Sequence, residues 1–209
     1  MLNEVEIKPT NKSKKLFYHN NKESKTQIIL CHTSRPISYY KNSLKYRLDG
    51  EYTKIPNYII GKKGTVIKNF EDCYHSDFMG NEDIDKQSII ICLENLGWLK
   101  LNQLNNKYVN WIGDIYKGEV YQKRWRDHSF WSNYPDEQLR SCAELIVTVC
   151  QELGIPINLV GHNVKLDKAL NFEGILTRSN YNEYWTDLSP SFNFEKLKTY
   201  IDEKKNPKQ

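Results

Sequence analysis

Three side chains in this chain have the types and the order to do chemistry together. His32 closes an apolar run, Ile28-Ile29-Leu30-Cys31-His32, and His162 follows a second one, Leu159-Val160-Gly161-His162. A carboxylate comes later, Asp187 in Tyr184-Trp185-Thr186-Asp187-Leu188-Ser189-Pro190-Ser191-Phe192. Two histidines at strand ends and one carboxylate supply three protein ligands. A catalytic zinc takes three and leaves its fourth position to water. Such a bound water gives up a proton near neutral pH and becomes a nucleophile. A strand-end histidine taken alone is more often a hydrogen-bonded surface residue, so the inference rests on all three in order.

These residues need a scaffold, and the hydrophobic pattern supplies one. Gln27–Cys31 and Ser88–Leu93 are short continuous apolar runs, the pattern of strands covered on both faces. Asn57–Gly61 and Thr65–Phe70 flank Lys62-Lys63-Gly64 as a hairpin, with glycine where a positive φ is needed. Pro135 suits the first position of a helix, and Asp136 and Glu137 complement its positive end. Leu139, Ala143, Ile146, Val149, Cys150 and Leu153 then recur at helical spacing until Gly154 and Pro156 stop the helix. Ile157–Val160 is expected to return as a strand leading into His162. A closing helix over about 194–203 would bury Phe194, Leu197, Tyr200 and Ile201. The expected fold is therefore α/β: a single domain with a mixed central β-sheet flanked by helices.

Residues 1–25 are polar, and are expected to be an N-terminal arm that is loose or packs through Leu16-Phe17-Tyr18. The domain would run over 26–205, with insertions at about 97–134 and 163–184. The first insertion carries Trp98, Trp111, Tyr116, Tyr121, Trp125, Phe130 and Trp131 among basic residues. An extra hairpin and loop, packed on itself with a charged outer face, is the expectation there. Extension of a sugar-binding groove comes second, and stacking of single-stranded bases a distant third.

At 209 residues the chain is long enough for one real core. No apolar run approaches the roughly 20 residues of a membrane span, and no membrane partner is expected. A net charge of +4 and a pI of about 8.6 are only mildly basic, so nucleic acid is not expected either. The five cysteines are odd in number, lack Cys-x-x-Cys spacing and lie mostly beside apolar runs, the habit of buried reduced thiols. With no secretory signal, cytoplasmic synthesis is expected, with any passage to a cell wall depending on another factor. The richness in Lys, Asn, Ile and Tyr suits an A/T-rich bacterial or phage genome.

In its motifs the chain resembles the type 2 N-acetylmuramoyl-L-alanine amidases, a family that includes the peptidoglycan recognition proteins and the short phage lysozyme-amidases. The resemblance runs from about Gln27 to the last helix. His32-Thr33-Ser34 matches the strand end that carries the first zinc ligand, and Tyr58–Val66 matches the hairpin. Tyr74-His75 and Ser88–Leu93 follow in the family's order, as do Tyr134-Pro135-Asp136-Glu137-Gln138 and Gly161-His162. Thr186-Asp187-Leu188-Ser189-Pro190-Ser191-Phe192 is similar to the segment holding the third ligand. The resemblance implies zinc bound by His32, His162 and Asp187. It also implies hydrolysis of the amide between muramic acid and L-Ala in peptidoglycan or muropeptide fragments, by a monomeric, endolysin-like enzyme.

The departures concern the helper groups. Trp185 stands where the family has the lysine that steadies the oxyanion, and Pro56 and Cys92 stand where it has its general base. Arg178, in the long loop after His162, is expected to replace the lysine in preference to Lys165. Glu94, on the face of Cys92, is the expected base, with Tyr58 second. His75 and Tyr58 are the expected substrate-binding residues. Two alternatives stay open: a catalytically inactive muropeptide-binding module, or a zinc hydrolase of the same fold acting on another amide.

Overall fold

The computed structural model describes residues 18–50, 52–162 and 164–206. Most of the expected arm, including Leu16 and Phe17, lies outside the described residues. Its inner end is packed. Tyr18 stacks on Phe70 and Tyr74, His19 bridges to His75, and the Lys25 ammonium donates to the Lys86 carbonyl at 2.5 Å.

The central sheet has five strands in the order β3 (Val66–Lys68), β2 (Tyr58–Ile60), β4 (Ser88–Leu93), β1 (Gln27–His32) and β9 (Gly174–Thr177). Strands β1 (Gln27–His32) and β4 (Ser88–Leu93) pair in parallel and are buried along their whole length. That explains the unbroken apolar runs Ile28–Cys31 and Ile89–Leu93: both faces are covered, so neither face is left to water. Ile28, Leu30, Ile89 and Ile91 face α3 (Asp136–Leu153) and α5 (Phe194–Lys205), while Ile29, Cys31, Ile90 and Cys92 meet Phe78 and Met79 on the other side. The hairpin β2 (Tyr58–Ile60) and β3 (Val66–Lys68) forms one edge, as the sequence predicts, with Gly64 at φ +78°. A side chain at Gly64 would also strike the α3 backbone and Ser141.

The other edge differs from expectation. Ile157–Val160 makes only an isolated bridge, Leu159 with Ile175. The edge strand is instead β9 (Gly174–Thr177), drawn from the expected second insertion and parallel to β1. The Gln27 side chain explains the capture of that segment. It is fully buried at the start of β1 and donates to the carbonyls of Ala169 at 2.6 Å and Phe172 at 2.5 Å. A buried amide must find partners, and here the loop supplies them.

Three short helices were not anticipated: α1 (Ile37–Tyr46), α2 (Glu82–Gln87) and α4 (Arg178–Tyr181). The first insertion is also more than a hairpin. It is a four-stranded antiparallel sheet, ordered β6-β5-β8-β7, built from β5 (Trp98–Asn102), β6 (Lys107–Val109), β7 (Val120–Trp125) and β8 (His128–Ser132). All five cysteines are free thiols, and four of them are buried. No helix among the described residues is long and apolar enough to cross a membrane.

Candidate functional site

Parallel strands present a crevice at their C-terminal ends, and His32 stands at the end of β1. Its ring is nearly buried, with Nδ1 3.3 Å from the Tyr134 hydroxyl. Gly97, at φ +74°, lies against the other side of the ring, and a Cβ there would come within 3.0 Å of Nε2. Burial pushes the imidazole down to about 4, against the pull of Asp187, and Arg178 lowers it further. The ring is therefore neutral at pH 7.

Asp187 is fully buried beside it. Its Oδ2 accepts the His32 backbone N–H at 3.2 Å and the Arg178 Nε–H at 2.7 Å. Burial works against the Arg178 charge, but Asp187 outweighs it and holds the guanidinium above its ordinary value. The rings of Trp185 and Phe78 lie 5.4 and 5.6 Å from the guanidinium carbon. Trp185, where a lysine was expected, is thus a neighbour of the cation.

The loop that carries this pair is held by polar side chains. Thr177 and Asn180 form a capping box at α4, and the Ser179 N–H donates to the Asp187 carbonyl at 2.9 Å. Asn180 Nδ2 donates to the Gly161 carbonyl at 3.1 Å, tying the turn before His162 to the same loop. Arg126, at the β7–β8 turn, donates to the carbonyls of Trp185 and Asn182. The aromatic-basic insertion therefore buttresses the site. Sequence reading singled out neither Asn180 nor Arg126; an Asn two positions after Arg178 was the available signal.

The three expected ligands are not brought together. His32 and Asp187 adjoin, but the His162 ring packs 4.5 Å from Trp125 and 6.1 Å from Phe194. Among the described residues no three His, Cys, Asp or Glu side chains are grouped so as to hold a metal ion. The Asp187 oxygen nearest His32 is already neutralised by a guanidinium. As placed, these residues do not fit a three-ligand zinc site.

The expected helpers are dispersed as well. Glu94 is a structural carboxylate. Its Oε1 accepts the first amide of α1, from Ile37, at 2.9 Å, and its Oε2 accepts the Lys62 N–H of the hairpin turn at 3.0 Å. That geometry does not suit the base assigned to it from the sequence. Tyr58 is buried under α3 and donates to both oxygens of Asp72, at 2.7 and 2.9 Å. Its hydroxyl is pushed well up by burial and by that carboxylate. His75 is buried against His19, ring to ring at 4.6 Å, and burial lowers its pKa. Neither Tyr58 nor His75 lines the cavity beside His32. Arg178 does, and Lys165 does not.

That cavity has a volume of about 190 Å³ and opens between the end of β1, α1 and the segment around Lys54. A larger one, about 440 Å³, lies where α3 and α5 begin and is walled by Tyr134, Phe192 and Phe194, without His32, Asp187 or Arg178.

Residues 10–172 match the family model of the N-acetylmuramoyl-L-alanine amidases. The match ends before β9, so Arg178 and Asp187 lie beyond it. No curated protein sequence matches the chain. Solved structures share the fold. A selenomethionine derivative of AmpD is 11% identical, with a TM-score of 0.55, over 95% of this chain and 93% of that one. The endolysin amidase LysCS from Clostridium intestinale is 11% identical, with a TM-score of 0.55, over 97% of each chain. The amidase AmiD from E. coli, solved with anhydro-N-acetylmuramic acid-L-Ala-D-γ-Glu-L-Lys, is 11% identical at 0.51, over 91% of this chain and 61% of AmiD. At such identities the likeness concerns the fold.

Proposed function

The chain belongs to the N-acetylmuramoyl-L-alanine amidase family, and on that premise we propose that it hydrolyses the amide between muramic acid and L-Ala in peptidoglycan or its fragments. The observation that carries this reading is the family match across β1 and β4, which supports the chemistry at the His32 end of the sheet. Water adds to the amide carbonyl, the C–N bond breaks, and the amine leaves with a proton. Arg178 lines the cavity and offers a fixed positive charge to the oxyanion that forms. The neutral His32 ring can accept a hydrogen bond from the attacking water.

One observation favours a second reading, muropeptide binding without hydrolysis. The Asp187 carboxylate is held by Arg178, and both Glu94 oxygens are engaged. Incubation with purified peptidoglycan and soluble muropeptides, followed by mass spectrometry, separates the two. Release of peptides headed by L-Ala supports the hydrolase. Retention of intact muropeptide without release supports the binding module, and absence of both release and retention leaves both readings without support.

A further inference from the structure

We infer that the cavity beside His32 is a binding site for a multiply charged oxyanion, a phosphoryl group or paired carboxylates, anchored by Arg35, Arg47 and Lys54. This inference goes beyond amide hydrolysis and does not depend on it. Four cationic side chains, these three and Arg178, line a space of about 190 Å³, and no Asp or Glu lines it among the described residues. Pockets for whole organic ligands run to roughly 300–1,000 Å³. This one suits a small charged group on a larger molecule.

Arg35 and Arg47 are oriented by neutral groups, and neither they nor Lys54 has a carboxylate partner among the described residues. Arg35 Nη1 donates to Ser43 Oγ at 2.6 Å, and its guanidinium carbon lies 5.4 Å from the Trp111 ring. Arg47 lies 4.6 Å from the Tyr52 ring. Lys54 reaches over Gly80, where an added Cβ would stand 3.7 Å from its Nζ. Contacts with hydroxyls and aromatic faces fix the direction of a cation and leave its charge in place. Of the four, only Arg178 has a carboxylate partner among the described residues. Like charges converging on one small space repel until an anion joins them. Two guanidinium forks and an ammonium match the several oxygens of a phosphoryl or dicarboxylate group. Thr33, Ser34 and Tyr40 add hydroxyls to the same wall.

The test measures binding of inorganic phosphate, pyrophosphate and citrate to the full chain by calorimetry and by melting temperature, with chloride of equal ionic strength as the control. Saturable binding and a raised melting temperature are expected with at least one multivalent anion. Arg47→Ala and Lys54→Ala should each weaken it by about tenfold. A lead for pyrophosphate identifies a phosphoryl ligand, and a lead for citrate a carboxylate one. Arg47→Gln and Lys54→Gln replace any alanine variant whose circular dichroism shows that it has not folded. The inference is overturned if no anion surpasses chloride, or if the folded variants bind as the parent does.

Discussion

Two groups of charge meet at the end of β1, and the fold treats them in opposite ways. Arg178 and Asp187 form a closed pair, the carboxylate fully buried and the guanidinium wedged beside two aromatic rings. Arg35, Arg47 and Lys54, a few side chains away, face a cavity with no carboxylate of their own among the described residues. A matched buried pair stabilises a loop and is costly to break. Unmatched cations around a cavity contribute little to the fold and leave an electrostatic demand for a ligand. Charge alone does not mark a binding site; charge left over after internal pairing does.

The largest expected effect comes from breaking the closed pair. Arg178→Ala leaves a buried carboxylate without a cation, and about 3–5 kcal/mol of stability should be lost in urea unfolding. The double variant Arg178→Met with Asp187→Leu should recover most of that loss, because it removes the uncompensated charge as well. A loss below about 1 kcal/mol in Arg178→Ala would show that water reaches Asp187 and that the pair is open.

Gly97 lies against the His32 ring. Gly97→Ala combines a positive φ with a 3.0 Å contact to Nε2, so a loss of about 1–3 kcal/mol is expected. A melting temperature equal to the parent's would mean that the ring can step aside.

If Arg178 closes Asp187, added zinc should neither bind at one ion per chain nor raise the melting temperature, and a chelator should leave both unchanged. Elemental analysis after dialysis checks this. Stoichiometric zinc lost in both His32→Ala and His162→Ala would show that the closed pair opens for a metal.

Lys25 sharpens the comparison from another side, as a buried cation that among the described residues donates to a carbonyl, that of Lys86. Burial lowers it to about 8, against the pull of Glu23. Between about pH 8 and its ordinary value the unfolded chain binds more protons than the folded one, so stability should rise with pH across that window. The slope is at most about 1.4 kcal/mol per pH unit. A flat profile, or the same slope in Lys25→Met, would remove Lys25 as its source.

The smallest effect belongs to the open group. Lys54→Ala should change stability by no more than about 0.5 kcal/mol in chloride, since Lys54 has no ion pair among the described residues. A drop as large as that of Arg178→Ala would mean that Lys54 is part of the fold.

The amino-acid sequence by itself determined the central strands, the Gly64 hairpin, the long helix after Pro135 and the closing helix. It also led to the family. Each of these depends on local periodicity or on a residue such as Gly or Pro whose backbone preference acts in place. Doubly buried parallel strands announce themselves as unbroken apolar runs, so Ile28–Cys31 and Ile89–Leu93 were legible without any partner in view. Only the tertiary structure decided which polar groups meet. Glu94 directly follows β4, yet its oxygens accept from the first amide of α1, a helix with no strong sequence signal, and from the hairpin turn. β9 lacks a pattern of its own and becomes a strand because it pairs with the edge of β1, while the Gln27 side chain holds the carbonyls of the loop just before it. Arg178 and Asp187 are nine residues apart and could have faced separate partners. Their meeting follows from the folding of the loop over Asn180 and Arg126, long-range hydrogen bonds that no spacing in the chain encodes.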